Sequence, residues 1–414
     1  MGTVVSTSDI TPAEREPFAG IPPVEPADFE TSPEKRDRAL KHLLRANHQN
    51  YSVLYSNLVF HNHTPHMLGT AYFLGVPAER LHTLYEEGLG GLAPWEDAPG
   101  EISRHDWRSY LSEPKYQRAY MDFFEDELVR YGYDWKAVVI EYMLKGPEPL
   151  IFGGAGELAH TLIHLAYAFE LNNKDIAMEA LTLAAVNNSF LHTYIDNDFP
   201  TSGFSVSHVP SAQQLTLTPA ARTTSPLEIL SKIRADSKFD GILSARGSDH
   251  IEKLFKEREE VILGYYYRLD MRDIVETHRK IMRLTTLMLC ATGEYDFYLV
   301  HLLTLAYAVR TLLPVIPKDY ALPLCKLNWL YVIALYVVQA RPEIHPALID
   351  EVDITGRTWE DVVAKALARE NVDAHYLKAI RVMRDTAGLW KEDGEFYLKS
   401  AVKFAGEFEK WGGY

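Results

Sequence analysis

The sequence predicts an all-α protein: one large multi-helix domain with a metal site buried between its helices. Apolar residues recur at three- and four-residue spacing along most of the chain, the pattern of helices with one buried face. We find no segment with the alternation of apolar and polar residues that is typical of strands. Histidines lie inside several apolar segments, and a buried imidazole requires a polar partner.

The predicted organisation is simple. Residues 1–32 are rich in Pro, Glu and Thr and are predicted to form an irregular N-terminal arm, followed by a helical domain over residues 33–414. The first helix is predicted to have Ser32 as its N-cap and Pro33 at its first helical position, and to run through Phe60.

The second helix has clear boundary signals. Thr64 is the predicted cap, Pro65 the first helical residue, and Gly75 ends the helix. The Ser/Thr/Pro-rich stretch 204–226 predicts a loop or lid excursion. Further helices are predicted at 77–87, 114–131, 135–146, 155–171, 174–189, 250–265, 270–290, 296–313, 320–340, 358–368, 373–388 and 391–411.

The composition limits the partners and the compartment. The chain has 414 residues, a formal net charge of −15 and no basic stripe, which argues against nucleic acid as a partner. Cys290 and Cys325 are too few for a disulfide framework and fit a reducing compartment. The first residues lack the apolar core of a signal peptide, and the apolar run 324–339 is shorter than a bilayer span. We therefore expect a cytoplasmic protein that binds no membrane.

Two histidines share one helix face. His160 and His164 are four residues apart in AHTLIHLAYA, so both imidazoles lie on the same face of the helix and can bind one ion. The alternative is a pair of core histidines bonded to the backbone, which is the commoner case for this spacing alone. The segment also lacks the glutamate of the H-E-x-x-H protease motif.

Other histidines extend the candidate site. His301 lies in an apolar helix that starts near Asp296, a carboxylate that is favoured at a helix start and is also a candidate proton acceptor. His61, His63 and His66 fall at a helix break: His66 is the best held, and His63 suits proton transfer. Neutral nitrogen ligands with few carboxylates fit zinc, iron or copper.

Lys378 stands beside His375 in DAHYLKAIRV. The simpler interpretation is a lysine that extends its ammonium group to solvent. A buried lysine is instead neutral, because desolvation lowers its pKa. A neutral amine reacts with carbon dioxide to give a carbamate, which binds metal as a carboxylate does.

Four segments of the chain resemble the questin oxidase-like family. They are HNHTPHMLGTAYFLGVPAERL, AHTLIHLAYAFEL, DFYLVHLLTLAYAVR and DAHYLKAIRVMR, in the order that the family has them, over roughly residues 40–410. The resemblance implies a fungal enzyme of polyketide pathways that oxidatively opens an anthraquinone ring to a benzophenone-type product. It also implies dioxygenase-type cleavage of a carbon–carbon bond, with oxygen as co-substrate.

The resemblance further implies a non-haem iron held by four histidines and a carboxylated lysine. Carried onto this sequence, the ligand positions are His66, His160, His164, His301 and Lys378. The choice of His66 over His63 as the fourth histidine stays open. Asp296, His63 and His61 become the candidates for taking a phenolic proton from the substrate, which makes the ring electron-rich.

Other functions compete with this one. Some family members are described as Baeyer–Villiger oxidases that use NADPH, although the Gly-rich segments 88–94 and 152–157 match no dinucleotide fingerprint. A metal-dependent hydrolase also uses histidines and a lysine carbamate, but usually on a β/α barrel. A helical scaffold without catalysis predicts no stoichiometric metal and tolerance of His160→Ala and His164→Ala. The sequence leaves the oligomeric state open.

Overall fold

The computed structural model describes residues 16–146, 148–196 and 222–414, and in these ranges it has eighteen α-helices and one short hairpin. The predicted all-α fold is confirmed. The α-helices are α1 (Lys35–Asn50), α2 (Thr64–Phe73), α3 (Ala78–Gly88), α4 (Gln117–Arg130), α5 (Trp135–Val139), α6 (Leu150–Gly153), α7 (Gly156–Glu170), α8 (Lys174–Val186), α9 (Thr193–Asp196), α10 (Pro226–Ala235), α11 (Ile251–Tyr266), α12 (Ile274–Cys290), α13 (Phe297–Leu312), α14 (Ala321–Val338), α15 (Ala347–Asp350), α16 (Trp359–Leu367), α17 (Ala374–Leu389) and α18 (Gly394–Glu407).

The first predicted helix is wrong at both ends. It begins at Lys35 with Glu34 as its N-cap in an extended conformation, and the Ser32 hydroxyl, which donates to Asp37 at 2.5 Å and accepts from the Glu34 N–H at 3.3 Å, lies before the helix. It ends at Asn50, well before Phe60.

A hairpin takes the place of the last part of that helix. Strands β1 (Leu54–Tyr55) and β2 (Phe60–His61) pair antiparallel, with Leu54 opposite His61. The chain turns through three successive left-handed residues at 56–58, with φ of 51°, 58° and 64°, which a helix does not allow. The hairpin thus delivers the HNHTPH segment to the start of α2.

The boundaries of α2 follow the sequence signals closely. Thr64 and Pro65 lie in its first turn, and Gly75 adopts φ +87° just after its end, as the signals predict. The N-cap residue is His63, one position earlier than predicted, because the Thr64 N–H is already bound by the Asn62 side chain.

Four helices were missed by sequence reasoning: α6, α9, α10 and α15. Three of them have four residues each, too few for an apolar period to show. The fourth, α10, begins at Pro226 after the Ser225 cap, where the predicted excursion ends. Positions 204–221 of that excursion lie outside the described residues.

The core is built around α7, α13 and α17. The α7–α13 contact is the most extensive between helices of the described part, and α17 packs on α13 and on α2. The segment Lys318–Val338, which includes α14, is long and apolar enough to span a membrane, but 89% of its apolar window is buried in protein. It is therefore explained as a core helix. Cys290 and Cys325 are both buried and unpaired.

Candidate metal centre

Four histidines from different parts of the chain meet in the core. They are His63 at the start of α2, His160 on α7, His301 on α13 and His375 on α17. One ring nitrogen of each lies within 4.8 Å of those of the other three. We call these residues the four-histidine group.

Backbone carbonyls fix the tautomers of two of them. The Nδ1 atom of His63 lies 2.7 Å from the carbonyl oxygen of His61, and that of His160 lies 2.6 Å from the carbonyl oxygen of Glu157. A carbonyl oxygen only accepts, so each Nδ1 carries the proton and each Nε2 of the neutral ring has a lone pair. The two Nε2 atoms are 2.9 Å apart. Two lone pairs at this distance repel unless a cation lies between them.

The other two histidines follow the same rule. His301 donates from Nδ1 to the Phe297 carbonyl oxygen at 2.8 Å, and His375 from Nδ1 to the Asp373 carboxylate at 3.2 Å. The Nε2 atoms of both are buried and have no hydrogen-bond partner within the described ranges. All four rings therefore present Nε2 lone pairs. In metal sites, a hydrogen bond from the other ring nitrogen orients a metal-binding imidazole in the same way.

The backbone before His160 is strained to make this geometry. Glu157, Leu158 and Ala159 have φ of 46°, 58° and 60°, in the left-handed region that non-glycine residues rarely adopt. This turn points the Glu157 carbonyl at the His160 ring. Gly156 precedes it because a Cβ there would lie 2.3 Å from the carbonyl oxygen of Asn187. The Gly-rich segment 152–157 thus allows close packing of the backbone at Gly156 against Asn187.

Electrostatics keep the four imidazole rings neutral. Burial lowers the pKa of all four imidazoles, because desolvation penalises the charged ring, and repulsion from Lys378 adds to it. Asp373 acts against the shift of His375, whereas other histidines further lower the pKa of the remaining three rings. A shared proton is therefore disfavoured at neutral pH. The residues fit a transition-metal ion, which neutral imidazole nitrogens bind well.

Two of the predicted ligands form a different arrangement next to this group. The Nε2 of His66 lies 3.0 Å from Nδ1 of His164, whose Nε2 lies 2.7 Å from the Glu179 carboxylate. Glu179 also accepts from His48 at 2.9 Å, and His48 contacts Glu125 at 3.0 Å. The assignment of His66 and His164 as ligands stays a prediction from the resemblance.

Charge pairing holds this second arrangement together. Burial acts to raise the pKa of Glu179, but hydrogen bonds from His164 and His48 outweigh it and lower the pKa to about 2. Burial acts to lower the pKa of His48, but the hydrogen bonds to Glu125 and Glu179 raise it to about 10. A buried carboxylate that accepts from two imidazoles holds His164 in one orientation.

Lys378 is buried, a condition for the metal-binding role that the resemblance implies. Its side chain is 1% exposed, and its Nζ has no hydrogen-bond partner among the described residues. Burial lowers its pKa to about 7, with Asp373 acting in the opposite direction. Near neutral pH a large share of the amine is therefore uncharged. The expectation that its ammonium reaches solvent is wrong.

The proton-transfer candidates have different surroundings. The Nε2 of His61 accepts from the Asn187 side chain at 2.8 Å, and its ring stacks on His160 at 3.9 Å. His63 belongs to the four-histidine group itself. Asp296 caps α13, with Oδ1 accepting from the N–H groups of Tyr298 at 2.7 Å and Leu299 at 2.9 Å.

Asp296 gives the protein a pH-dependent term in its stability. Burial raises its pKa from 3.8 to about 6, against the two backbone hydrogen bonds. The folded state therefore favours the protonated form, and the free energy of unfolding falls as the pH rises from the unfolded to the folded pKa. Asp296→Asn cannot ionise. We expect it to gain up to about 3 kcal/mol relative to the wild type between pH 4 and pH 8. Urea unfolding at both pH values measures this, and an equal difference at both would contradict the shift.

Sequence reasoning missed His375 as a member of the four-histidine group. It noted this residue only as the neighbour of Lys378, because a single histidine at a helix start has no partner at helical spacing. The available signal was Asp373, which caps α17 and bonds the His375 ring. Glu179 had no sequence signal, since its partners lie on other helices.

The fold and the site define an all-α chain with a buried histidine cluster that is able to hold a metal ion. The sequence profile of the questin oxidase-like family matches residues 60–383, more than half of the chain. The chain therefore belongs to the questin oxidase-like family.

Curated relatives agree with this assignment. The Baeyer-Villiger oxidase mdpL of Emericella nidulans is 33% identical over 176 residues, 39% of this chain and 38% of that protein. The questin oxidase of Aspergillus fumigatus is 24% identical over 377 residues, 86% and 82% of the two chains. The Baeyer-Villiger monooxygenase AacuH of Aspergillus aculeatus is 24% identical over 381 residues, 83% and 77%.

Proposed function

We propose that the protein is a cytoplasmic, non-haem iron-dependent oxygenase of fungal secondary metabolism that uses oxygen to cleave a carbon–carbon bond of an anthraquinone-type polyketide. The observation that carries this proposal is the convergence of four Nε2 lone pairs in the core of a questin oxidase-like chain. Relatives named as oxidases and monooxygenases support the oxidoreductase class.

The geometry favours His63, His160, His301 and His375 as the residues that would hold the ion. A redox-active metal bound there supplies the electron transfer that ground-state oxygen requires. Lys378 is proposed to add an anionic ligand after its neutral amine takes up carbon dioxide and loses one proton. Buried surroundings exclude water from these residues and strengthen the interactions of charge within the site.

The substrate proton is proposed to move to Asp296 or His61, the two candidates outside the four-histidine group. Asp296, with a pKa raised to about 6, exchanges protons near neutral pH and is one acceptor. His61 is the weaker candidate, because its Nε2 already accepts from the Asn187 side chain and burial lowers the pKa of its ring to about 3. Loss of the phenolic proton makes the aromatic ring electron-rich where oxygen has to react.

A Baeyer–Villiger monooxygenase that consumes NADPH is the second candidate, favoured by the names of two of the relatives. It differs from the first in needing a reductant for each turnover. A metal-dependent hydrolase differs from both in needing no oxygen.

One experiment separates these functions. The purified protein is assayed for metal by elemental mass spectrometry and for ring opening of hydroxyanthraquinones with and without oxygen and NADPH. About one iron per chain and oxygen-dependent opening without NADPH is the expected result, and Lys378→Met should abolish it. Zinc with oxygen-independent hydrolysis would refute the proposal, and strict NADPH dependence would favour the second candidate.

A further inference from the structure

A cleft of about 230 Å³ lies between the start of α2, the end of α3 and the start of α17. Its walls include Tyr55, Met67, Leu68, Leu84 and Leu92. The rim is exposed at Glu87, Gly88 and Asn371, whereas Leu68 and Leu84 are buried. The cleft therefore leads from the surface into the protein.

This cleft ends at the four-histidine group. His63 lines it, and His63 is the member of the group that is partly exposed, whereas His160, His301 and His375 are buried. Asp373, which orients His375, lines it as well. The cleft thus gives a molecule access from the surface to His63.

The polar groups of the cleft favour a hydroxylated ligand. Glu87 brings a carboxylate that is paired with Arg80 at 3.0 Å, and Asn371 brings an amide. Asp373 brings a carboxylate whose Oδ1 already accepts from backbone N–H groups of α17 and from Trp411. The carboxylate of Asp373 repels an anionic ligand, and these side chains accept hydrogen bonds from hydroxyl groups. Together with leucine and methionine walls, they fit a neutral, flat molecule with hydroxyls at its edge.

Tyr55 offers the complementary hydrogen-bond donor. Its hydroxyl has no hydrogen-bond partner in the described part of the chain, and its ring contacts Phe60. Burial, and then the negative charge of Asp373, raises the pKa of this hydroxyl, so it remains protonated and able to donate.

We propose that this cleft binds the aromatic substrate, with its hydroxyl-bearing edge at Tyr55 and Asp373 and its reacting carbon toward His63. This inference rests on the proposed function. A second cavity of about 320 Å³ lies elsewhere, lined by Pro17, Val24, Phe169 and Val315 among others, and touches none of the four histidines. It supplies a matched control.

The test places one tryptophan side chain in each of the two cavities. Leu92→Trp fills the cleft from a residue outside the four-histidine group, and Val315→Trp fills the second cavity. Binding of a trihydroxyanthraquinone to the iron-loaded proteins is measured without oxygen by fluorescence quenching, and metal content is measured in parallel. We expect Leu92→Trp to weaken binding at least 10-fold with metal content unchanged, and Val315→Trp to bind as the wild type does.

A second variant tests the proposed hydrogen bond between the Tyr55 hydroxyl and the substrate. Tyr55→Phe removes one hydroxyl, so we expect about 5-fold weaker binding of the trihydroxyanthraquinone and no change for unsubstituted anthraquinone. Wild-type binding by both Leu92→Trp and Tyr55→Phe, or loss of binding in Val315→Trp alone, would overturn the cleft assignment even if ring opening occurs. Binding that Leu92→Trp abolishes, in a protein that opens no ring, would support the cleft and refute the proposed function.

Discussion

Replacing His301 by alanine is expected to abolish the proposed metal binding and to reduce the proposed ring opening to background. The His301 side chain is fully buried, and its Nε2 is one of four ring nitrogens that lie within 4.8 Å of one another. Removal of a residue that only supports a ligand typically lowers metal affinity by roughly 10- to 100-fold. Loss of the ligand itself should lower the metal affinity by more than this. Metal content after dialysis against a weak chelator measures it directly.

His278 is the matched control for this variant. It is also fully buried on an apolar helix, α12, but it does not belong to the four-histidine group. We expect His278→Ala to lose stability and to keep its metal. If His301→Ala retained metal at the wild-type level, or if both variants lost it equally, the group would not be the metal site.

Glu170→Ala is expected to lower the free energy of unfolding by about 3–5 kcal/mol, the largest effect on stability that we predict. Glu170 accepts from both terminal nitrogens of Arg381, one of them at 3.0 Å, and both side chains are at most 2% exposed. The variant leaves the Arg381 guanidinium buried, and among the described residues only the partly exposed Asp385 remains as its charged partner. Urea unfolding at pH 7 measures the change.

Replacing both Glu170 and Arg381 by apolar residues shows whether the loss of stability comes from the unpaired buried charge. Glu170→Leu combined with Arg381→Met removes both charges and should recover most of the stability, because no charge is then left buried without a partner. A loss below about 1 kcal/mol in Glu170→Ala would mean that Asp385 and Tyr307 are sufficient for Arg381. A double variant as unstable as the single one would point to lost packing.

Part of the site could be predicted because its signal is local. His160 and His301 lie on strongly apolar helices, so their burial follows from the helical period, and both belong to the four-histidine group. The choice between His63 and His66 could not be made from neighbouring residues in the sequence. His63 is the N-cap of α2, and its ring direction depends on the His61 carbonyl that the hairpin presents. Sequence spacing favoured His66 because it sits on regular helix, and spacing says nothing about ring direction.

The sequence by itself determined that the chain is helical, where most helices lie and which of them bear histidines on buried faces. These properties depend on neighbours three and four residues away, so periodicity reveals them. Only the tertiary structure decided which imidazoles meet. It brought His375 into the group, tied His164 to Glu179 and buried the Lys378 amine. Each of these outcomes depends on the approach of helices distant in sequence and on single carbonyl or carboxylate oxygens that fix the tautomer of each ring.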